Sequence, residues 1–508
     1  MYGRSQIFTD YATVEYKNLI EILNKAYAVH QVNAVDMDRL IDFEAGKVPR
    51  LREKTFRKDV DFFVPDPIAS LIVDFKLGFE WGSPITFVQS DDNPEESEDL
   101  ATAITLLNRG YRAQKIKKKQ QELARFIEIC GVGYTYVDIN AEYTPGDSYF
   151  TIDVFDPRTT FVVRSRAYSD KRIILAVSYK RDEHGVEHYT CFTKDYRYEV
   201  AQGEIKDWQV NPISKIPIIE WIRSHDRQGC FERLIPLIED LNQNLSDFSN
   251  DITQNTDCIW FTRDVELKEE KVGEDGETTV VEATPQSGDW VHTYTTQDGR
   301  TPAIEPLTVQ RDYNGIQNKI DDNRAHILSL AHVPIRNNDT GGSTGIAMSD
   351  ASGWTDAEAE ANRKQMLTDS SKMAEVEVVL AAIGVSPFVP VDCPMLQLTY
   401  ADVEPNVKRS RNFELTVKAN SVSTLLGKGF ALEDVIDTVP LFEDPAQVVE
   451  RSGEGVKKYQ EANVFKVGQN EDTEKVNMSS DDPAAQITNS PSVDGMVLED
   501  EEVDGDET

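Results

Sequence analysis

Three groups of residues in this chain have types and spacings that could do chemistry. His184, Glu187 and His188 spell H-x-x-E-H, a pattern that binds zinc when both histidines lie on one face of a helix. Gly341, Gly342 and Gly345 could let a backbone cradle a phosphate, and Lys115, Lys117, Lys118 and Lys119 could neutralise several phosphates. Context counts against all three. Gly185 and Val186 read as a turn between the strand-like runs 173–179 and 189–192, so the histidines are expected at a hairpin tip. No Lys-Ser or Lys-Thr follows the glycines, which removes the phosphate-loop reading. The lysine run reads as a solvated helix face, diluted by Glu122 and Glu128. Cysteines at 130, 191, 230, 258 and 393 are odd in number and too far apart for metal-ligand pairs, so reduced, buried thiols are expected. No catalytic residue, metal or cofactor is implied.

The elements around these groups are more informative. Residues 236–258 place Ile238, Leu241, Leu245, Phe248 and Ile252 in steps of three and four, a narrow apolar seam. Asn242, Asn244, Asp247, Asn250, Asp251, Gln254 and Asn255 surround it, which predicts a long, laterally packed, solvent-facing helix. A second such helix is predicted over 309–330, stopped by Pro334, with Asp321 and Asp322 off its apolar side. Between the two lies a small β module, with strands near Val265 and Leu267, at 278–281, and from Trp290 to Tyr294. A polar, Gly-rich loop over 337–345 then precedes a third long helix, whose start is predicted at the capping box Thr355/Glu358 and whose end at Gly384 and Pro387.

Upstream, helices are predicted over 16–28, 68–79, 100–107 and 111–130, with Arg109 and Gly110 separating the last two. Residues 149–200 read as an antiparallel sheet, 85–88, 396–400 and 413–417 as strands, and 421–426, 432–439 and 456–464 as short helices. From about 469 the composition turns acidic and polar, which predicts disorder.

The length of 508 residues exceeds what one core supports, so several units are expected. A net charge of −36 argues against tight wrapping of nucleic acid, yet suits a wall past which DNA must slide. No apolar run is long enough to span a bilayer and the first ten residues are polar, so neither a membrane helix nor a secretory signal is expected; the protein should work in a cytoplasm or in a particle assembled there.

Four segments give the chain a family likeness. They are the apolar helix and Gly-x-Pro-Ile pattern at Gly82, Pro84 and Ile85, Gly131 and Gly133 before Tyr134 and Tyr136, the run Ile216 to Trp221 leading to Leu241, Asn242, Ser246 and Asn250, and the tract Ser343 to Met348. Together they resemble the portal proteins of tailed bacteriophages, in the branch of long, flexible-tailed phages of Gram-positive hosts. Thr344 departs from that family's pattern, which has Ser there.

The resemblance implies an α+β, multi-domain portal fold assembling as a cyclic ring. Its parts would be a wing (1–230), a first stem helix (231–262), a clip (263–306), a second stem helix (307–333), a tunnel loop with its long helix (334–384), wing return strands (385–420), a crown (421–468) and an acidic tail (469–508). The tunnel loop would present Asn338, Asp339, Thr340, Gly341, Gly342, Ser343, Thr344, Gly345 and Ile346 to DNA, with Asp321 and Asp322 facing the channel. Val265, Leu267, Trp290 and Tyr294 would form the docking surface of the clip. Implied partners are copies of the chain, twelve in the particle, double-stranded DNA passing without sequence specificity, the terminase large subunit, scaffold and major capsid proteins and a head–tail adaptor, in the virion and not a membrane. Twelve helices about 10 Å apart enclose a bore of about 28 Å, wide enough for B-form DNA. Two rivals remain: a zinc-dependent hydrolase built on His184 and His188, and a non-viral helical scaffold.

Overall fold

The computed structural model describes residues 3–50, 52, 61–90, 98–256, 259–263, 268–272, 278–282, 303–307, 312–335, 353–407, 409, 415–428, 430–432, 435, 436 and 452. They fall in two units, Met1–Arg411 and Asn412–Thr508. In the second, helix α8 (Leu415–Gly427) includes residues 415–417, which the sequence reads as part of a strand. Their alternation of Leu, Thr and Val is too short to outweigh the helical run that follows. The helix expected over 456–464 and the acidic tail lie outside the described residues.

In the first unit the N-terminus opens with a strand. β1 (Ile7–Thr9) pairs parallel with β5 (Thr160–Ser165), at one edge of a six-stranded sheet. The rest of that sheet is an antiparallel meander of β6 (Ile173–Arg181), β7 (Glu187–Phe192), β8 (Tyr196–Ala201) and β9 (Glu204–Val210). Helix α1 (Leu19–Glu44) covers it, with Leu19, Ile22, Leu23 and Ala26 packed on Phe161, Val163, Leu175 and Val177. The helix runs 16 residues past its expected end, Glu44 against Ala28, and the extension is hidden in the sequence because two buried polar side chains interrupt its apolar period. His30 Nε2 meets the Arg158 carbonyl at 2.9 Å, and Asn33 brackets the backbone of Ser5 through two 2.9 Å bonds. Beyond them Met37, Leu40 and Phe43 join a second core with Ile68, Ile72 and Val73 of α2 (Ile68–Glu80).

A three-stranded sheet, β10 (Ile218–Ile222), β3 (Val132–Ile139) and β4 (Phe150–Phe155), forms the centre of the unit. It packs against α4 (Ile116–Cys130) and α7 (Trp354–Val385). Helix α3 (Glu98–Ala113) runs through Gly110 instead of breaking there. A Cβ at Gly110 would stand 3.1 Å from the Phe150 ring, so the glycine serves close packing. The break falls at Lys115, left-handed at φ 55°. Strand β2 (Thr86–Gln89) pairs with β15 (Val403–Asn406). The strand expected over 396–400 is instead a pair of 3-10 turns, Pro394–Leu396 and Tyr400–Asp402, the second closed by a capping box between Thr399 and Asp402.

Candidate functional site

Helices α5 (Ile235–Thr256) and α6 (Tyr313–Leu330) lie antiparallel, as their cross-contacts require. Asn323 Nδ2 donates to Asp240 at 2.9 Å, Lys319 Nζ to Asn244 at 3.0 Å, and the rings of Phe248 and Tyr313 meet edge to face, so one helix ascends as the other descends. Where α5 ends, β11 (Ile259–Arg263) pairs with β14 (Ala303–Leu307), and β12 (Lys268–Val272) with β13 (Thr278–Glu282). Asp312 caps α6 by accepting from Gly315 N–H at 2.9 Å. Only Ile320 and Ile327 of α6 are buried. Gln317, Asn318, Asp321, Asp322, His326 and Ser329 are exposed, and Asp321 accepts from Gln317 at 3.0 Å.

The polar flank of α5 is not solvent-facing throughout, as the sequence suggests. Asn242, Ser246 and Asn250 are buried, and each accepts a backbone N–H from the extended segment 61–66. Asp66 N donates to Asn242 Oδ1 at 2.7 Å, Val64 N to Ser246 Oγ at 3.0 Å and Phe62 N to Asn250 Oδ1 at 2.7 Å. Every fourth helix residue thus meets every second strand residue. Asp66 also reaches Arg324 of α6 at 3.3 Å, tying the strap to both helices. These side chains stand in for a sheet edge, pairing backbone donors of a partly exposed strap along the helix.

The 32-residue α7 is held in two different ways. Gly353 precedes it with φ 82°, so the helix begins one residue before the expected cap Thr355, and no side chain caps it. A Cβ on Gly353 would lie 4.0 Å from the Pro334 backbone, so the chain leaves and re-enters at one place. The first half of α7 buries little but Ala357 and Ala361, against Phe79, and is otherwise held by charge. Lys364 bonds Glu80 at 2.6 Å and Glu128 at 3.3 Å, Arg223 bonds Glu128 at 3.0 Å and Glu360 at 2.5 Å, and Lys76 bonds Glu360. Burial alone would push the Glu360 carboxyl up, but Lys364, Arg223 and Lys76 outweigh it and hold the group down at about 2. Desolvation wins at Glu80, whose pKa is raised.

The second half enters the main core through Val376, Val379, Ala382 and Ile383. Buried there, Lys372 pairs with Glu375 at 2.6 Å, and its ammonium lies 4.3 Å from the Tyr111 ring centroid, 5.5 Å from Phe87 and 5.9 Å from Trp221. Neither the ionic cluster nor this aromatic cage was visible in the sequence, because their members come from segments far apart in the chain.

Asn338 to Ile346, Val265, Leu267, Trp290 and Tyr294 lie outside the described residues. His184 and His188 flank the β6–β7 turn, where Arg181 pairs with Glu187 and His188 Nε2 meets Asp182 at 3.1 Å, as the hairpin reading expects. Among the described residues, no group of three or more His, Cys, Asp or Glu is placed to hold a metal ion. Cys130 and Cys191 are buried, and burial pushes the Cys130 thiol up to about 12. Cys230 and Cys393 are free but only partly buried, against expectation; Cys258 lies outside the described residues. No described helix is long and apolar enough to cross a membrane.

Against known proteins, residues 15–462 match the family model described as "Phage portal protein, SPP1 Gp6-like". No curated protein matches. Among solved structures, "Neck of empty GTA particle computed with C6 symmetry" is 14% identical, with 77% of this chain and 96% of that chain covered and a TM-score of 0.41. "Virion of native gene transfer agent (GTA) particle" is 13% identical, with 81% and 99% covered and a TM-score of 0.40.

Proposed function

This chain belongs to the SPP1 Gp6-like family of phage portal proteins, and from that premise we propose how its parts serve the portal. Portal function itself follows from the family: the protein is a structural component of a phage particle, forming an oligomeric ring through which DNA is packaged and ejected. In our reading α5 and α6 belong to the stem, 263–306 is the clip, 334–384 the tunnel loop with α7 as its long helix, and 421–468 the crown. Twelve copies assemble in the host cytoplasm. The clip, with Val265, Leu267, Trp290 and Tyr294, docks the terminase large subunit and later the head–tail adaptor, and scaffold and major capsid proteins surround the ring.

The observation that carries this reading is the free face of α6. Its exposed side chains are polar or acidic along the helix, apart from Leu330 at its end and the two cations Lys319 and Arg324, which are drawn to Asn244 of α5 and to Asp66, so a duplex beside the remaining face meets repulsion at short range and no apolar grip. The shared base at Pro334 and Gly353 supports a loop that projects from the end of that helix. Replacing Asp321 and Asp322 with Lys is expected to stall packaging in an in vitro packaging assay, and unchanged rates would remove the charge argument. Negative-stain images of the purified chain test the ring; elongated monomers or dimers under assembly conditions would support the scaffold reading instead.

A further inference from the structure

We propose that the elbow between α3 and α4 is a second, non-channel surface that binds the phosphates of double-stranded DNA. It rests on the portal reading only in taking DNA as the polyanion at hand. Arg109 and Arg112 end α3, Lys115 forms the left-handed bend, and Lys117 and Lys118 begin α4. All five are exposed, and none forms an ion pair among the described residues. That is unusual in a chain with 89 acidic and 53 basic residues. Some exposed lysines elsewhere find carboxylates, Lys17 on Glu15 at 2.8 Å, Lys25 on Glu21 at 2.6 Å and Lys206 on Glu204 at 2.7 Å, while Lys171, Lys180 and Lys194 are exposed without an ion pair among the described residues; what sets the elbow apart is that its unpaired cations are gathered between residues 109 and 118.

The structure also changes the local charge balance that the sequence suggests. Glu128, which dilutes the lysine run in the sequence, is buried and engaged by Arg223 and Lys364, so it offers the elbow nothing. Lys119 leaves the patch, bound to Asp153 at 3.0 Å, while Arg109 and Arg112 join it. The carboxylates nearby in sequence or on the adjoining β3–β4 turn are Glu122, Glu142 and Asp147, and Asp147 is turned onto Thr144. Helix α4 has no side-chain cap and no acidic residue in its first turn, so its positive end adds to the cations around it.

The kind of partner follows from what the patch lacks. Among residues 109–118 no exposed side chain is large and apolar, Tyr111 and Ile116 being buried. A folded protein partner needs a buried aromatic or aliphatic anchor, whereas phosphates need only mobile, unpaired cations. The surface therefore suits sequence-independent contact with a duplex backbone.

The test is fluorescence anisotropy of a labelled 30-base-pair duplex with the purified full chain at 50 to 200 mM NaCl. Each phosphate contact contributes about 0.9 to the slope of log K against log salt, so the triple variant Arg112→Gln, Lys117→Gln, Lys118→Gln should reduce its magnitude by up to about 2.7. The matched triple Lys17→Gln, Lys25→Gln, Lys206→Gln should leave it unchanged. Equal slopes in both triples and wild type overturn the proposal. Elbow-dependent binding of labelled poly-glutamate without duplex binding also overturns it, in favour of an acidic protein. Because the readout does not require ring closure, failure here leaves the portal reading standing, and the converse holds.

Discussion

Replacing Glu375 with Gln probes how the long helix α7 is anchored. The Lys372 and Glu375 side chains are 2% and 1% exposed, and their contact at 2.6 Å is the direct ionic partner of that ammonium. At an effective dielectric of about 20 the attraction is about 6 kcal/mol, most of it offset by the cost of desolvating both groups. Breaking such a pair from one side costs about 3–5 kcal/mol, since the remaining charge stays buried. The three rings around Lys372 return about 1–2 kcal/mol, so the expected loss is about 1–4 kcal/mol. Urea unfolding followed by tryptophan fluorescence suits the measurement, because Trp221 is one wall of the cage. Tyr111 donates to Glu375 at 3.2 Å, so the restoring variant must change all three residues: Tyr111→Phe with Lys372→Met and Glu375→Leu. That triple should recover stability to within about 1 kcal/mol of wild type. A loss below about 1 kcal/mol in the single variant, or a triple less stable than the single, would refute the reasoning.

Three further outcomes are expected. Asn242→Ala, Ser246→Ala and Asn250→Ala should each cost about 1–2 kcal/mol and release one amide to hydrogen exchange, at Asp66, Val64 and Phe62 respectively; simultaneous loss of all three from one substitution would mean that the strap is not held rung by rung. Burial holds the His30 imidazole down at about 4, against about 6.5 when unfolded, so its contribution is complete above about pH 6.5 and falls by about 3 kcal/mol as pH drops towards 4. His30→Gln should flatten urea midpoints across that window. Glu360, held at about 2, gives stability that is present above the ordinary carboxylate range of about 4.3 and lost as pH falls towards 2. Proteolysis within α7 should therefore rise in acid for wild type, and Glu360→Gln should be cleaved readily already at neutral pH.

The parts written in local periodicity were legible in the sequence. The apolar steps at Ile238, Leu241 and Leu245 give α5, and the β6–β7 turn was evident from Gly185. What stayed hidden depends on partners far along the chain. Asn242, Ser246 and Asn250 look like a wetted flank until a strap 176 to 188 residues upstream covers them. Gly110 looks like a helix stop because the Phe150 ring that presses on it lies 40 residues on. Lys76, Glu128, Arg223 and Lys364 look like ordinary surface charges, yet Lys76 and Glu128 are buried and Arg223 and Lys364 mostly so. Of the candidate site, Asp321 and Asp322 lie on the exposed side of α6, as their positions off the apolar stripe predict.

The strap on α5 works like a vernier. Four residues of helix advance about 6.0 Å, whereas two residues of extended chain advance about 6.6 Å, so each rung slips by about 0.6 Å against the last. Centred on Ser246, the mismatch at the outer rungs stays within the spread of ordinary hydrogen-bond lengths; carried two rungs further it would exceed it. Docking of this kind is thus self-limiting in length, and a one-residue insertion between Phe62 and Asp66 would put the two rulers out of phase at once.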